Sequence, residues 1–176
     1  MTDIKDLKRA LLISRAWCQC TVPVIWTKPV FSSRDSKTLT ECIKILRMAN
    51  SFFNYARFVR RLNFAPLHGT LQDRQLIEFA VCSRLERLVL TDSRYIGSRT
   101  LAKVLGQMKD LVAVDLSGVL TTNDGVLKTI AATCTKLQGI NLTKCNQITD
   151  DGVVALAKQA KYLRRVSARP FLKTLS

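Results

Sequence analysis

Residues 85–90 read LERLVL, residues 111–116 read LVAVDL and residues 137–142 read LQGINL. Each is L-x-x-[LVI]-x-L, and each begins 26 residues after the one before. A further 26 residues on, LRRVSA opens at 163, with Leu163 and Val166 in register and Ala168 a weaker last position. The same spacing taken backwards from 85 reaches VRRLNF at 59. Five registers at one spacing define a repeat array. The second half of the unit keeps the period: Leu101, Leu127 and Val153; Val104, Ile130 and Leu156; Met108, Cys134 and Ala160. Offsets of three and four put these residues on one helical face. Each unit is therefore predicted to be a short strand, a turn and a helix. One unit cannot bury its apolar face alone, so neighbours stack into a solenoid. The first unit departs from the rest. Its helix reads Leu76, Phe79, Ala80, shifted by one after APLHGTLQD, which predicts an adjusted loop there.

The chain has 176 residues, which suits one domain with an appendage, and 47% are apolar, enough to bury a core. The formal net charge is +15, from 28 basic and 13 acidic residues. Residues 1–64 hold 12 of the basic and 4 of the acidic groups, so the excess is not a basic arm. Such an excess favours an anionic partner: nucleic acid, a membrane surface, or an acidic or phosphorylated protein. No nucleic-acid-binding module and no interleaved surface aromatics accompany the charge, so nucleic acid is not expected. No stretch approaches the roughly 20 apolar residues of a membrane span, and no membrane partner is expected.

Six cysteines are present: Cys18, Cys20, Cys42, Cys82, Cys134 and Cys145. The apolar run Ala10–Ile13 is too short for a secretory signal, so reduced thiols in the cytosol or nucleus are expected. Cys82 and Cys134 each precede their unit's first leucine by three residues, and Cys145 falls at an inward position after Leu142. These read as packing residues. Cys18 and Cys20 are one residue apart, not the two to four of a zinc site, and no second Cys/His pair follows. His68 is the only histidine and lies in a predicted loop. Asp150-Asp151 reads as the acidic start of a helix rather than a catalytic pair. With no phosphate loop and no nucleophile elbow, no enzyme, cofactor or metal is expected.

Before the repeats, DIKDLKRALLISRAW (3–17) predicts a helix with Leu7, Ala10, Leu11 and Ser14 on one face and Asp3 or Asp6 as its cap. CQCTVPVIW then predicts a second short helix or extended turn ending at Trp26. A pair of short helices is too small to fold alone and must dock on something. TLTECIKILRMANSFF (38–53) predicts a linking helix with Leu39, Ile43, Leu46, Ala49 and Phe53 on one face, flanked by Cys42 and Ile45.

The stretch CTKLQGINLTKCNQITDDGVVALA (134–157) resembles the cysteine-containing subtype of leucine-rich repeat. DLKRALLISRAWCQCTVPVIWTKPVF (6–31), with its LLISRAWC core and W-x-x-P-x-F ending, resembles the second half of an F-box. With YARFVRRLNF and the repeats that follow, residues 3–168 resemble fungal F-box proteins with leucine-rich repeats, of the glucose-repression-resistance type. The resemblance implies an α/β fold: a 26-residue leucine-rich-repeat solenoid, parallel sheet on the concave side and helices on the convex side, behind a small helical partial F-box. The expected organisation is a partial F-box over 1–31, a linking helix over 32–58 and repeats over 59–176. The family's first F-box helix with its Leu-Pro motif is absent, and family members carry more repeats, which implies a chain shortened at both ends.

The implied function is that of a non-catalytic substrate receptor of an SCF-type ubiquitin ligase, acting in the cytoplasm and nucleus for proteasomal degradation of its targets. It would bind a Skp-family adaptor, and a cullin through it, by Leu7, Leu11, Leu12, Arg15, Trp17 and Trp26. The alternative is a repeat module for protein interaction that has lost adaptor binding. In an L-x-x-L-x-L strand the positions beside the second leucine point away from the core. These are Arg61 and Asn63, Arg87 and Val89, Ala113 and Asp115, Gly139 and Asn141, Arg165 and Ser167, with Arg60 and Arg164 flanking and Arg169 following. Arginine forks bind carboxylate or phosphate in bidentate fashion. Arg61, Arg87, Asn141, Arg165 and Arg169 are the expected contacts to phosphorylated or acidic protein targets. A merely solvated basic face is the competing reading.

Overall fold

Each unit's strand offers one inward side chain between two outward ones, and the strands pair so that the inward ones line up. The computed structural model describes residues 6–7, 9, 11–33, 36–49 and 51–168. Strands β1 (Arg61–Asn63), β2 (Arg87–Val89), β3 (Ala113–Asp115), β4 (Gly139–Asn141) and β5 (Arg165–Ser167) form one sheet in sequence order, every pair parallel. Partners are 26 residues apart at every step, from Leu62↔Leu88 to Ile140↔Val166. Leu62, Leu88, Val114 and Ile140 are buried. Val166, on the outermost strand, keeps the register but is 42% exposed, because no further unit covers it among the described residues. The α/β arrangement is compatible with a repeat solenoid.

One carbonyl in each unit accepts from two successive amides of the next. Arg60 O takes the N–H groups of Glu86 and Arg87 at 2.8 and 3.0 Å, and Glu86 O those of Val112 and Ala113 at 2.8 and 3.0 Å. Val112 O takes Gln138 and Gly139 at 2.8 and 3.1 Å, and Gln138 O takes Arg164 and Arg165 at 2.8 and 3.0 Å. At the other end of the strands, Asn63, Asp115 and Asn141 each accept from the amide two residues on, Ala65, Ser117 and Thr143, at 3.0, 2.9 and 3.1 Å. This local bond turns the chain out of the strand. Three residues after each of Val89, Asp115 and Asn141 the backbone is left-handed, at Asp92 (φ 55°), Gly118 (φ 70°) and Lys144 (φ 65°).

The helices lie behind the sheet. Besides the helical residues 6, 7 and 9, six helices have both ends among the described residues: α1 (Arg15–Trp26), α2 (Ser36–Arg47), α3 (Asp73–Leu76), α4 (Ser98–Leu105), α5 (Asp124–Thr133) and α6 (Asp150–Gln159). In α4 to α6 the periodic residues Leu101, Val104, Leu127, Ile130 and Leu156 are buried in one core with the strands. Asn123 caps α5 by accepting from Val126 N–H at 3.2 Å. Helix starts are also tied across units: Asp124 accepts from Thr149 N–H (2.9 Å) and hydroxyl (2.6 Å), and Asp73 from Gly97 N–H (2.8 Å). Asp150 and Asp151 occupy the first turn of α6. The first unit carries the expected loop adjustment, as a 3-10 turn at Ala65–Leu67, the short α3 and a second 3-10 turn at Ile77–Val81. Leu76 and Phe79 are buried there.

Three boundaries differ from the sequence expectation. The N-terminal helix does not run to Trp17. The chain turns at 11–13, and Ser14, extended and accepting from Trp17 N–H at 3.3 Å, starts a new helix at Arg15. Ser14 is thus a cap, not part of an earlier helix face. CQCTVPVIW is no separate element but the body of α1, which continues through Pro23 to Trp26. Asp3 and Ala10 lie outside the described residues. The linking helix ends at Arg47 rather than Phe53. Ala49 and Phe53 leave the helical face because the chain turns Phe53 towards Tyr55 and Phe58, with ring centroids at 5.8 and 6.2 Å. Cys42 lies at the centre of that face, buried with Leu39, rather than on its flank.

The thiols follow from this packing. Cys42, Cys82, Cys134 and Cys145 are buried. Burial pushes the first three up to about 12, Cys82 with a smaller contribution from Cys42. Burial raises Cys145 too, and its Sγ donates to Leu116 O at 3.1 Å. A thiol held neutral is a poor nucleophile and metal ligand. Alkylation of the native chain at pH 8, read by peptide mass spectrometry, is expected to label exposed Cys20 first and half-buried Cys18 next. The four buried thiols should react only on unfolding. At the turns, Gly118→Ala would put a Cβ into a left-handed residue and against the Asp92 carboxylate. It is expected to cost about 1–3 kcal/mol by urea denaturation. Gly69→Ala, where a Cβ meets nothing, should change stability by less than about 0.5 kcal/mol.

Candidate functional site

Two surfaces carry the residues singled out in the sequence, and a joint of aromatic residues sits between the segments that bear them. Trp26 packs on the core and lies 4.6 Å from the Tyr55 ring. Phe31 is buried, stacked on Phe64 at 5.1 Å and edge-on to Phe79 at 6.1 Å. Such pairs contribute about 0.5–1.5 kcal/mol each beyond area burial. Thr27 O accepts from Arg60 and Arg61 N–H at 2.9 and 3.0 Å. That repeats the two-amide contact found between units, so the residue just after α1 stands where a preceding unit's strand would stand. Arg47 at the end of α2 adds a bidentate pair to Glu78 of the first unit, at 2.8 and 2.6 Å. The Arg47 hydrogen bonds hold the Glu78 carboxyl below its ordinary range.

The first surface surrounds the start of α1. Leu12 (88% exposed) and Trp17 (54% exposed) project from it with exposed Arg15, while Leu7 and Leu11 are half-buried. Trp26 is separate from this set and belongs to the joint. Two neighbours escaped the sequence reading. Ile13 is also exposed, and Phe52, exposed, lines a groove of about 620 Å³ with Arg15, Cys18, Gln19 and Phe53. Ile13 lies off the predicted face of Leu7, Ala10, Leu11 and Ser14, and nothing in the sequence singled it out. Phe52 carries no periodicity relating it to α1. Large apolar side chains gathered on a surface mark an interaction site.

The second surface is the open face of the sheet. Arg61 and Arg87 are exposed and register partners on adjacent strands. Arg165 is exposed on β5, separated from Arg87 by Ala113 and Gly139. The structure therefore divides the basic row into two ends with a floor of small residues between. Asn141 lies in the other row, and its side chain is engaged: it donates to Asp115 at 3.1 Å and accepts from Thr143 hydroxyl at 2.8 Å. Its position serves the turn, and among the described residues the two arginine ends present the guanidinium donors of this face. Arg169 lies outside the described residues.

Among the described residues, no group of three or more His, Cys, Asp or Glu side chains is placed to hold a metal, and no helix is long and apolar enough to cross a membrane. Exposed His68 has Nδ1 2.8 Å from Ala65 O, within its own turn.

No family model matches the chain. It is similar to the SCF E3 ubiquitin ligase complex F-box protein pof2 of Schizosaccharomyces pombe, 25% identical over 154 residues. The match takes in 88% of this chain and 33% of that protein, so the chain spans about a third of the relative's length.

Proposed function

We propose that this chain is a non-catalytic substrate receptor of an SCF-type ubiquitin ligase. The α1 region holds a Skp-family adaptor, and through it a cullin, while leucine-rich repeats hold a phosphorylated or acidic protein target for ubiquitination and proteasomal degradation. Cytoplasm and nucleus are its places of action. The observation that carries this reading is the extent of the similarity to an F-box protein: 154 residues, longer than the whole repeat region and so including part of the helical segment before it. The geometry supports it. An apolar surface and a basic one lie on separate elements, and the aromatic joint fixes one relative to the other. A receptor of this kind does no chemistry. It raises the local concentration of its target and orients it, which is a matter of linkage geometry.

The direct test is binding of the 176-residue chain to purified adaptor, beside a version carrying a complete F-box. The native chain is expected to bind. Leu12→Asp and Trp17→Ala should each weaken binding by about tenfold or more, as buried anchors at an interface do. Both side chains are exposed, so unfolding midpoints should hold. Binding by the completed version alone would make this chain a disconnected repeat module, competing for targets instead of delivering them. On the other surface, the Arg87→Glu, Arg165→Glu double variant is expected to abolish capture of an acidic or phosphorylated target peptide in a pull-down. Undiminished capture would remove the open sheet face from the proposal.

A further inference from the structure

A pocket of about 500 Å³ lies between α2 and the end of α1 with the segment that follows it. One wall is Trp26, Pro29, Val30 and Phe31. The other is α2, where Thr38, Cys42 and Ile45 line it. Their spacing of four and three residues keeps them on one helical face. At about 1.5 Å per residue, that face runs about 10 Å from Thr38 to Ile45. The Cys42 thiol, which burial holds neutral, belongs to the apolar lining. Trp26 and Phe31 reach the pocket from the aromatic joint, where Tyr55 and Phe64 hold them. Charge enters at Lys28, Lys37 and Glu41. Glu41 is taken by Lys44, 2.7 Å away on α2. Lys28 is exposed and forms no ion pair among the described residues. The pocket thus joins a long apolar floor to an ammonium group in need of an anion.

We infer that this pocket binds an amphipathic monocarboxylate, its unbranched alkyl chain laid along the α2 face and its carboxylate held by Lys28. A cleft of this size, mostly apolar with a few polar groups, suits a small organic ligand. A straight chain matches a floor that is long and follows a single helix. The lysine selects an anion and rejects an amine of the same length. A protein segment would bring backbone N–H and C=O groups against an apolar wall that offers them few partners. The inference stands independently of the ligase reading, and adaptor binding does not bear on it. A ligand seated on Trp26 and Phe31 would also stabilise the joint, because it binds only the folded chain.

The test uses the full chain and decanoate as the probe. Trp26 is one of two tryptophans, and the other, Trp17, is exposed. In a Trp17→Phe chain the emission of Trp26 therefore reports the pocket. Decanoate is titrated below its micellar concentration, at neutral pH and constant ionic strength. A saturable change in emission and a raised unfolding midpoint are expected, with decanoate bound about tenfold more tightly than decylamine. Octanoate, with a shorter chain, should bind about tenfold more weakly than decanoate. Lys28→Glu is expected to weaken decanoate by about tenfold and to reverse the preference towards decylamine. Val30→Asp, at a position 63% exposed, should weaken decanoate to a similar degree and leave the midpoint of the ligand-free chain in place. Leu12→Asp, on the surface around the start of α1, should stay within about twofold of the parent. No saturable change, or an equal response to acetate, would overturn the proposal. So would an unchanged preference in Lys28→Glu. Loss of binding in Leu12→Asp alone would move the alkyl chain to the other surface. A shift of emission with protein concentration alone would mean that a second copy fills the pocket. Both outcomes count against a carboxylate ligand here.

Discussion

A carbonyl oxygen that accepts two consecutive amides from the neighbouring unit is the contact on which this molecule is built. Strands of three residues have few ladder bonds to offer, so the bond pair just ahead of each strand fixes where the next begins. The contact recurs at Arg60, Glu86, Val112 and Gln138, and it begins at Thr27, outside the repeats. The segment after α1 thereby covers an edge of the sheet that would otherwise present unpaired groups. Register, inward packing and the seating of the helical segment all follow from one kind of bond.

Most of the repeat fold was legible because its signal is redundant. Leu62, Leu88, Val114 and Ile140 are one core row read at a constant interval, and the helix residues Leu101 and Leu127 repeat it on the other layer. A misread position in one unit is corrected by its neighbours. The N-terminal elements have no such redundancy. Ser14 can extend a helix or cap one, and only the tertiary arrangement decides. The end of α2 at Arg47 was illegible for a similar reason: Phe53 fits the helical spacing, yet packs with Tyr55 and Phe58 from beyond the helix.

The candidate surfaces were legible in part. Outward arginines follow from strand alternation, so Arg61, Arg87 and Arg165 were visible in the sequence. The engagement of Asn141 was not, because its partners Asp115 and Thr143 act in a turn whose left-handed residue is Gly in one unit, Asp or Lys in the others. Trp26 was read with the adaptor-binding residues because its motif resembles an adaptor-binding sequence. The structure gives the Trp26 and Phe31 of that motif to the joint.

The break in the basic row has a metric consequence. Arg87 and Arg165 stand three strand spacings apart, with Ala113 and Gly139 as the floor. At about 4.8 Å per spacing the two ends are roughly 14 Å apart at the backbone. An extended chain laid across the strands covers that distance in about four residues. The sheet is therefore a ruler graduated in strands: it would favour two negative charges at one separation along a segment, and inserting or deleting a unit between them would reset the scale by a fixed step.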